Sequence, residues 1–186
     1  SVERILKRLR QYEPRLPQRR GKPMPVTSIQ REIPISRIAW DEVTPGHFEI
    51  DTVQHSGPVA KGDYVCTLQW VDVATGWSER AAIFGRSEKE TVLAFQRILQ
   101  RCPIAVLELH PDNGSEFMNA HLIRYFREVV KDVALTRSRP FHKNDNRFVE
   151  QKNATLVRAY LGNVRLDQRS QADQLNELYE LMGVYY

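Results

Sequence analysis

The sequence predicts an α/β protein built on a mixed five-stranded sheet, three antiparallel strands followed by two parallel ones, with helices on both faces. Three observations predict it: an opening set of β-rich runs joined by short turns, an alternation of helical and strand periodicities after it, and a helical crossover between the third and fourth runs. At 186 residues the chain is long enough for one well-cored domain with an appendage. Its 41% hydrophobic and 27% charged residues are those of an ordinary soluble globular protein. No apolar run approaches the roughly 20 residues of a membrane helix, so no membrane partner is expected.

Residues 1–44 read as a basic, proline-containing extension and residues 45–186 as the core. Residues 1–37 hold ten Lys or Arg against three acids, a balance of +7 in a chain whose total is +4, so the remainder is net −3. Pro14, Pro17, Pro23, Pro25 and Pro34 forbid a long helix and favour extended chain, with a short helix expected only over residues 2–12. Such a strap suits a linker lying along phosphates, and equally a solvated linker with nothing bound.

In "GHFEIDTV" (46–53), Phe48, Ile50 and Thr52 alternate with their neighbours, as in a strand. "DYVCTLQWVDVA" (63–74) is long and β-branched, and "WSERAAIFG" (77–85) follows the turn Thr75-Gly76, completing an antiparallel meander. Ser87 and Glu90 then stand at capping-box spacing before a helix whose face is Val92, Phe95, Ile98 and Leu99, stopped by Cys102-Pro103. A fourth strand is expected over 104–109, a helix over 119–130 with Leu122, Phe126 and Val129 inward, and a fifth strand over 133–138. A polar loop, "RPFHKNDN", leads to helices over 145–161 and 168–184.

Three acids stand out in this frame. Asp51 lies inside the first strand, near Ile50 and Val53, where a charge needs a partner. Asp112 follows the fourth strand, and Glu150 lies early in the helix after the polar loop. The crossover can bring the fourth strand beside the first, and a helix packed across the sheet can bring Glu150 to the same point. Singly each acid is a weak signal, since an Asp at a strand end is more often a turn cap; together they suggest a three-carboxylate site for hard divalent cations.

"FEIDTV", "HPDNGSEF" and "HKNDNRFVEQKN" resemble the signature segments of the integrase core of retroviral integrases and bacterial insertion-sequence transposases, the DDE family of the RNase H-like superfamily. The resemblance covers about residues 45–185 and is most similar to the bacterial transposases. It implies an RNase H-like fold, Asp51, Asp112 and Glu150 as catalytic and metal-binding residues, and DNA cleavage and strand transfer during DNA integration. The 37 residues between Asp112 and Glu150 slightly exceed the family's common spacing, a difference that a loop absorbs. The cofactor implied is Mg²⁺ or Mn²⁺, two ions roughly 3.5–4 Å apart when DNA is bound, with Asp51 bridging them and Asp112 and Glu150 each holding one. The partners implied are DNA, as element ends and target, and further copies of the chain in the active complex, in a bacterial cytoplasm at the nucleoid. A metal-dependent nuclease would use the same acids with water alone as nucleophile, and an inactive DNA-binding remnant would keep the fold without the chemistry.

The remaining polar residues divide between structure and substrate. Asn113 and Gly114 are expected to turn the chain tightly after the fourth strand, Asp72 to cap a turn, and His110 to be a structural residue near the site. No cysteine or second histidine stands at ligand spacing, so zinc is not expected; Cys66 and Cys102 read as small core residues of a reducing compartment. His142, Lys143, Arg147, Lys152 and Asn153 surround Glu150 and are the expected DNA contacts, with Arg147 and Asn153 one helical turn to either side of it.

Overall fold

The computed structural model describes residues 31–183, other than 115 and 141. The helix expected over 2–12 and most of the basic strap lie outside the described residues. Strands β1 (His47–Gln54), β2 (Val65–Asp72) and β3 (Ser78–Phe84) form the expected antiparallel meander. Asp72 closes the β2–β3 turn as expected, accepting from the backbone N–H and hydroxyl of Thr75 at 2.8 and 2.6 Å. Its other oxygen accepts from the Gly46 N–H at 2.7 Å and so ties the entrance of β1 to the same corner.

Helix α1 (Glu88–Arg101) begins at Ser87, whose side chain accepts from the Glu90 N–H, while the Glu90 carboxylate pairs with Arg169 at 2.9 Å. It crosses to β4 (Glu108–Pro111), which runs parallel to β1. The strand starts later than the sequence pattern predicts. The Gly46 carbonyl accepts from both Leu107 and Glu108 N–H, so the chain joins β1 only there, and Ile104 and Val106 pack against the core from an irregular approach.

Helix α2 (Ala120–Tyr125) is capped by Asn119, which accepts from the Leu122 N–H at 2.8 Å, and continues as a wide π-turn through Phe126–Val130. That turn corrects one expected core position. Leu122 and Phe126 are buried, but Val129 is 64% exposed, because the extra residue per turn rotates later side chains out of the 3.6-residue phase. Strand β5 (Ala134–Leu135) pairs parallel with β4, and beyond it the end of the N-terminal strap bridges Ile35 to Arg137.

The polar loop after β5 closes in a 3₁₀ turn (Lys143–Asn146). It feeds helix α3 (Arg147–Lys152), continued by a π-turn (Asn153–Arg158) and Ala159–Leu161; α4 (Arg169–Met182) follows. The sheet order is β3-β2-β1-β4-β5, the mixed five-stranded arrangement the sequence predicts. Strand β2, interior to the sheet, is buried at every position, which requires cover on both faces. On one face Phe48, Ile50, Leu68, Trp70 and Leu109 meet α1 and α2 through Phe95 and Phe126, whose rings stand edge-on at 5.0 Å. On the other, α4 buries Ala172, Leu175 and Tyr179 against Val65 and Ala82. Alternation along β1 therefore puts Glu49 and Asp51 on the second face, beneath α3.

Candidate active site

The parallel register pairs Ile50 with Pro111, so the next residue of each chain, Asp51 and Asp112, follows side by side at the carboxyl end of β4. Asp51 is half-buried; one of its oxygens accepts from the Thr52 N–H and the other from the Asn153 side-chain amide, both at 2.7 Å. Asp112 is also half-buried and accepts from the Gly114 N–H at 2.8 Å. A Cβ on Gly114 would stand 2.8 Å from an Asp112 oxygen and 2.9 Å from a Glu116 oxygen, so glycine is what lets these two carboxylates close over the turn. Asp112 and Glu150 line one open cleft of about 450 Å³, with Asn113, Ser138, His142 and Asn146 among its other walls.

Asp51 and Asp112 are both shifted upward. Burial pushes the Asp51 carboxyl up to about 7, against the Thr52 N–H; the charges of Asp112, Glu150 and Glu116 raise it further. Burial raises Asp112 as well, opposed by the Gly114 N–H and reinforced by Glu116. Among the described residues no three acidic, histidine or cysteine side chains converge tightly enough to hold a cation as they stand. The acids are neighbours with their oxygens turned to Thr52, Asn153 and Gly114. Their donor set is nonetheless all oxygen and rich in negative charge, which fits a hard divalent cation completing its shell with water and substrate phosphate.

Glu49 is the residue that sequence reasoning missed. It is 1% exposed, and one carboxylate oxygen accepts from the backbone N–H groups of Phe148 and Val149 at 2.8 and 2.9 Å. The same strand that carries Asp51 thereby bolts down the first turn of the helix that carries Glu150. Burial pushes the Glu49 carboxyl up to about 7, and those two N–H groups pull against the shift. Its other oxygen is buried with no hydrogen-bond partner among the described residues. Glu116 was missed too; the signal for it was its place in Asp-Asn-Gly-Ser-Glu, two residues beyond the turn glycine.

The expected DNA contacts fall in different environments. Glu150 and Arg147 are exposed on α3, His142 is exposed on the cleft wall, and Lys152 is half-buried; the Lys143 side chain lies outside what the structure describes. Asn153 is buried at 8% exposure and donates to Asp51, an inward position its spacing from Val149, Leu156 and Val157 could have revealed. The loop before α3 is clamped by Arg139, whose guanidinium forks onto Asp145 at 2.7 and 2.9 Å; Asp145 is 1% exposed, and this pairing holds its carboxyl below the usual range. His110 shares a hydrogen bond with Thr136 at 2.7 Å beneath the site. Cys66 is buried and Cys102 partly so, both free.

No family model matches the chain. Over 160 residues it is 32% identical to an uncharacterized protein, y4rM, of Sinorhizobium fredii, covering 86% of this chain. The chain spans 45% of that relative's length. Among solved structures, a chain of the simian T-cell lymphotropic virus intasome, solved in complex with a PP2A regulatory subunit, superposes with a TM-score of 0.55 at 16% identity, over 75% of this chain and 51% of its own. The fold is that of the retroviral integrase core. The magnesium-bound catalytic core of HTLV-2 integrase, in a dimeric form, is similar over 63% of this chain and 73% of its own, with a TM-score of 0.48 and 20% identity. Among the described residues no helix is long and apolar enough to cross a membrane.

Proposed function

We propose that this chain is the catalytic core of a DDE transposase of the bacterial insertion-sequence kind, a metal-dependent polynucleotidyl transferase that cleaves DNA and joins a DNA 3′-hydroxyl to a target phosphodiester. What supports the reading is an integrase-core sheet in which Asp51 and Asp112 follow side by side, Asp112 and Glu150 line one cleft, and burial first, then the charges of Asp112 and Glu150, push the Asp51 carboxyl up. Asp51, Asp112 and Glu150 would hold the divalent ions. Bound there, Mg²⁺ or Mn²⁺ supplies activation of the attacking oxygen and stabilisation of the leaving one. Asn153 orients Asp51, Glu49 fixes the helix bearing Glu150, and Arg147, His142 and Lys152 stand where phosphates would pass. The active assembly contains DNA ends, target DNA and more than one copy of the chain.

The test is a strand-transfer assay with labelled duplexes bearing candidate element ends, in Mg²⁺ and in Mn²⁺, with Asp112→Asn alongside. Nicked and joined products from the unmodified chain, absent with Asp112→Asn, are expected. Nicking without joining under every end sequence would instead select a nuclease, and DNA binding without cleavage by either protein would select an inactive remnant.

A further inference from the structure

An exposed tryptophan beside the cleft has no part in the fold's core or in the acid cluster. Trp40 sits in the turn just before β1 and is 41% exposed. The guanidinium of Arg147 lies 4.0 Å from its ring centroid, and that of Arg37 lies 5.2 Å away. Arg147 also stands over Phe148 at 4.7 Å. Neither arginine has an ion-pair partner among the described residues; the exposed Asp41 next to Trp40 has none there either, and Glu42 accepts from the Thr44 N–H at 2.8 Å. The indole is not needed to fasten the strap. Ile33 and Ile38, each 3% exposed, already anchor it, and the backbone bonds Ser36 N–H to the Arg137 carbonyl and Arg137 N–H to the Pro34 carbonyl, both 3.0 Å, pin it to the sheet edge.

We propose that Trp40, with Arg37 and Arg147, is a nucleobase-stacking subsite that takes an unpaired or terminal base of the DNA strand entering the acid cleft. An indole face is sequence-neutral and attractive to any base, but only a base whose own face is free can stack on it, which excludes the interior of a duplex. Arg147, 4.0 Å from the ring centroid, holds one indole face and fixes the plane, so the base stacks on the opposite face, the looser Arg37 contact at 5.2 Å giving way; both guanidiniums supply charge for the flanking phosphates. Arg147 begins the helix turn that presents Glu150, about 4.5 Å further along its axis, so a base held at Trp40 belongs to the stretch of strand at the acids. This inference rests on the proposed DNA chemistry and adds to it the class of ligand and the residues that hold it.

The experiment measures binding in EDTA, so that nothing is cleaved, using three probes: a duplex with a short single-stranded overhang, a blunt duplex, and a closed circular duplex without ends. Trp40→Ala should weaken overhang binding about tenfold, leave the closed circle unaffected, and abolish most of the tryptophan quenching that the overhang produces, since Trp70 is wholly buried and the half-buried Trp77 lies at the β2–β3 turn, where its indole N–H donates to Glu79. Trp40→Phe should restore most of the affinity, and thermal unfolding should be unchanged in both. The inference is overturned if Trp40→Ala binds the overhang like the unmodified chain, or if it loses overhang and closed circle equally. When that happens while the unmodified chain still cleaves DNA with metal, the subsite alone is wrong. If the unmodified chain neither binds nor cleaves any probe, the proposed function fails with it.

Discussion

Removing the Glu49 carboxylate should loosen the helix that presents Glu150 without touching the cleft itself. In Glu49→Ala the N–H groups of Phe148 and Val149 lose the acceptor they hold at 2.8 and 2.9 Å, in a position from which water is excluded. An orphaned buried donor costs about 1–3 kcal/mol, so two suggest roughly 2–6 kcal/mol. Relief of a buried carboxylate, one whose ionised form burial already disfavours, brings the net to the lower end, about 2 kcal/mol. For a domain of this size that is a fall of about 4–8 °C in unfolding midpoint. Glu49→Gln keeps an acceptor oxygen and removes the charge, so it should unfold at or above the midpoint of the unmodified chain. The assay is thermal unfolding of the three proteins beside their rates of metal-dependent DNA nicking. Glu49→Ala should be impaired in both, and Glu49→Gln should recover most of both. Equal midpoints for all three would refute the bolt, and loss of nicking in both variants with unchanged midpoints would mean that Glu49 acts on the chemistry directly.

Asp51→Asn should raise the unfolding midpoint by a few degrees while abolishing metal-dependent cleavage, because the new amide oxygen can still accept from the Thr52 N–H and its NH2 can donate to the Asn153 side-chain oxygen once that amide flips, while the buried charge repelled by its neighbours is gone. Gly114→Ala should leave the midpoint nearly unchanged yet reduce cleavage sharply. The new Cβ meets only the ends of the Asp112 and Glu116 side chains, which can swing away, and that movement takes Asp112 out of place; unimpaired cleavage would contradict this. His55 is wholly buried, bonded to Thr67 at 2.8 Å, and burial lowers its pKa to about 4, helped by Arg158. Its folded pKa lies below the unfolded value, so the unfolded chain binds the extra proton between about pH 4 and 6.5, and stability falls as pH drops through that window. His55→Gln should flatten the dependence by roughly 3 kcal/mol over that range, read as the difference between the two urea denaturation profiles at pH 7 and pH 4. Parallel profiles would refute the assignment.

The meander, the crossover and the paired acids were legible because each is encoded locally: β-branched alternation in 65–72, the Ser87 cap, and an aspartate next to Ile50 where a charge is out of place. Asp51 and Asp112 could be put together from topology alone, since a right-handed helical crossover sets β4 beside β1. What escaped depends on partners distant in sequence. On the alternation of β1, Glu49 reads as the solvent side of the strand; only α3, 99 residues later, turns it into a buried helix anchor. Val129 was misplaced because a π-turn has no clear residue signature and breaks the period the reading relies on. Asn153 was placed by its distance from Glu150, when the apolar stripe of Val149, Leu156 and Val157 puts it inward. Trp40 belongs to a turn with no periodicity, and its arginine neighbour is 107 positions away in the chain.

Asp51, Asp112 and Glu150 are proposed to act together through a shared divalent ion. The most direct measurement is DNA cleavage as a function of Mn²⁺ concentration for the unmodified chain, Asp51→Asn, Asp112→Asn and Glu150→Gln, with Mn²⁺ binding followed in parallel by electron paramagnetic resonance. The unmodified chain should cleave only with the ion and bind it more tightly when DNA is present, whereas each variant should fall to background cleavage, weaken Mn²⁺ binding and remain folded. Cleavage that persists in any one of the three folded variants, or that survives chelation of the ion, would contradict this joint action.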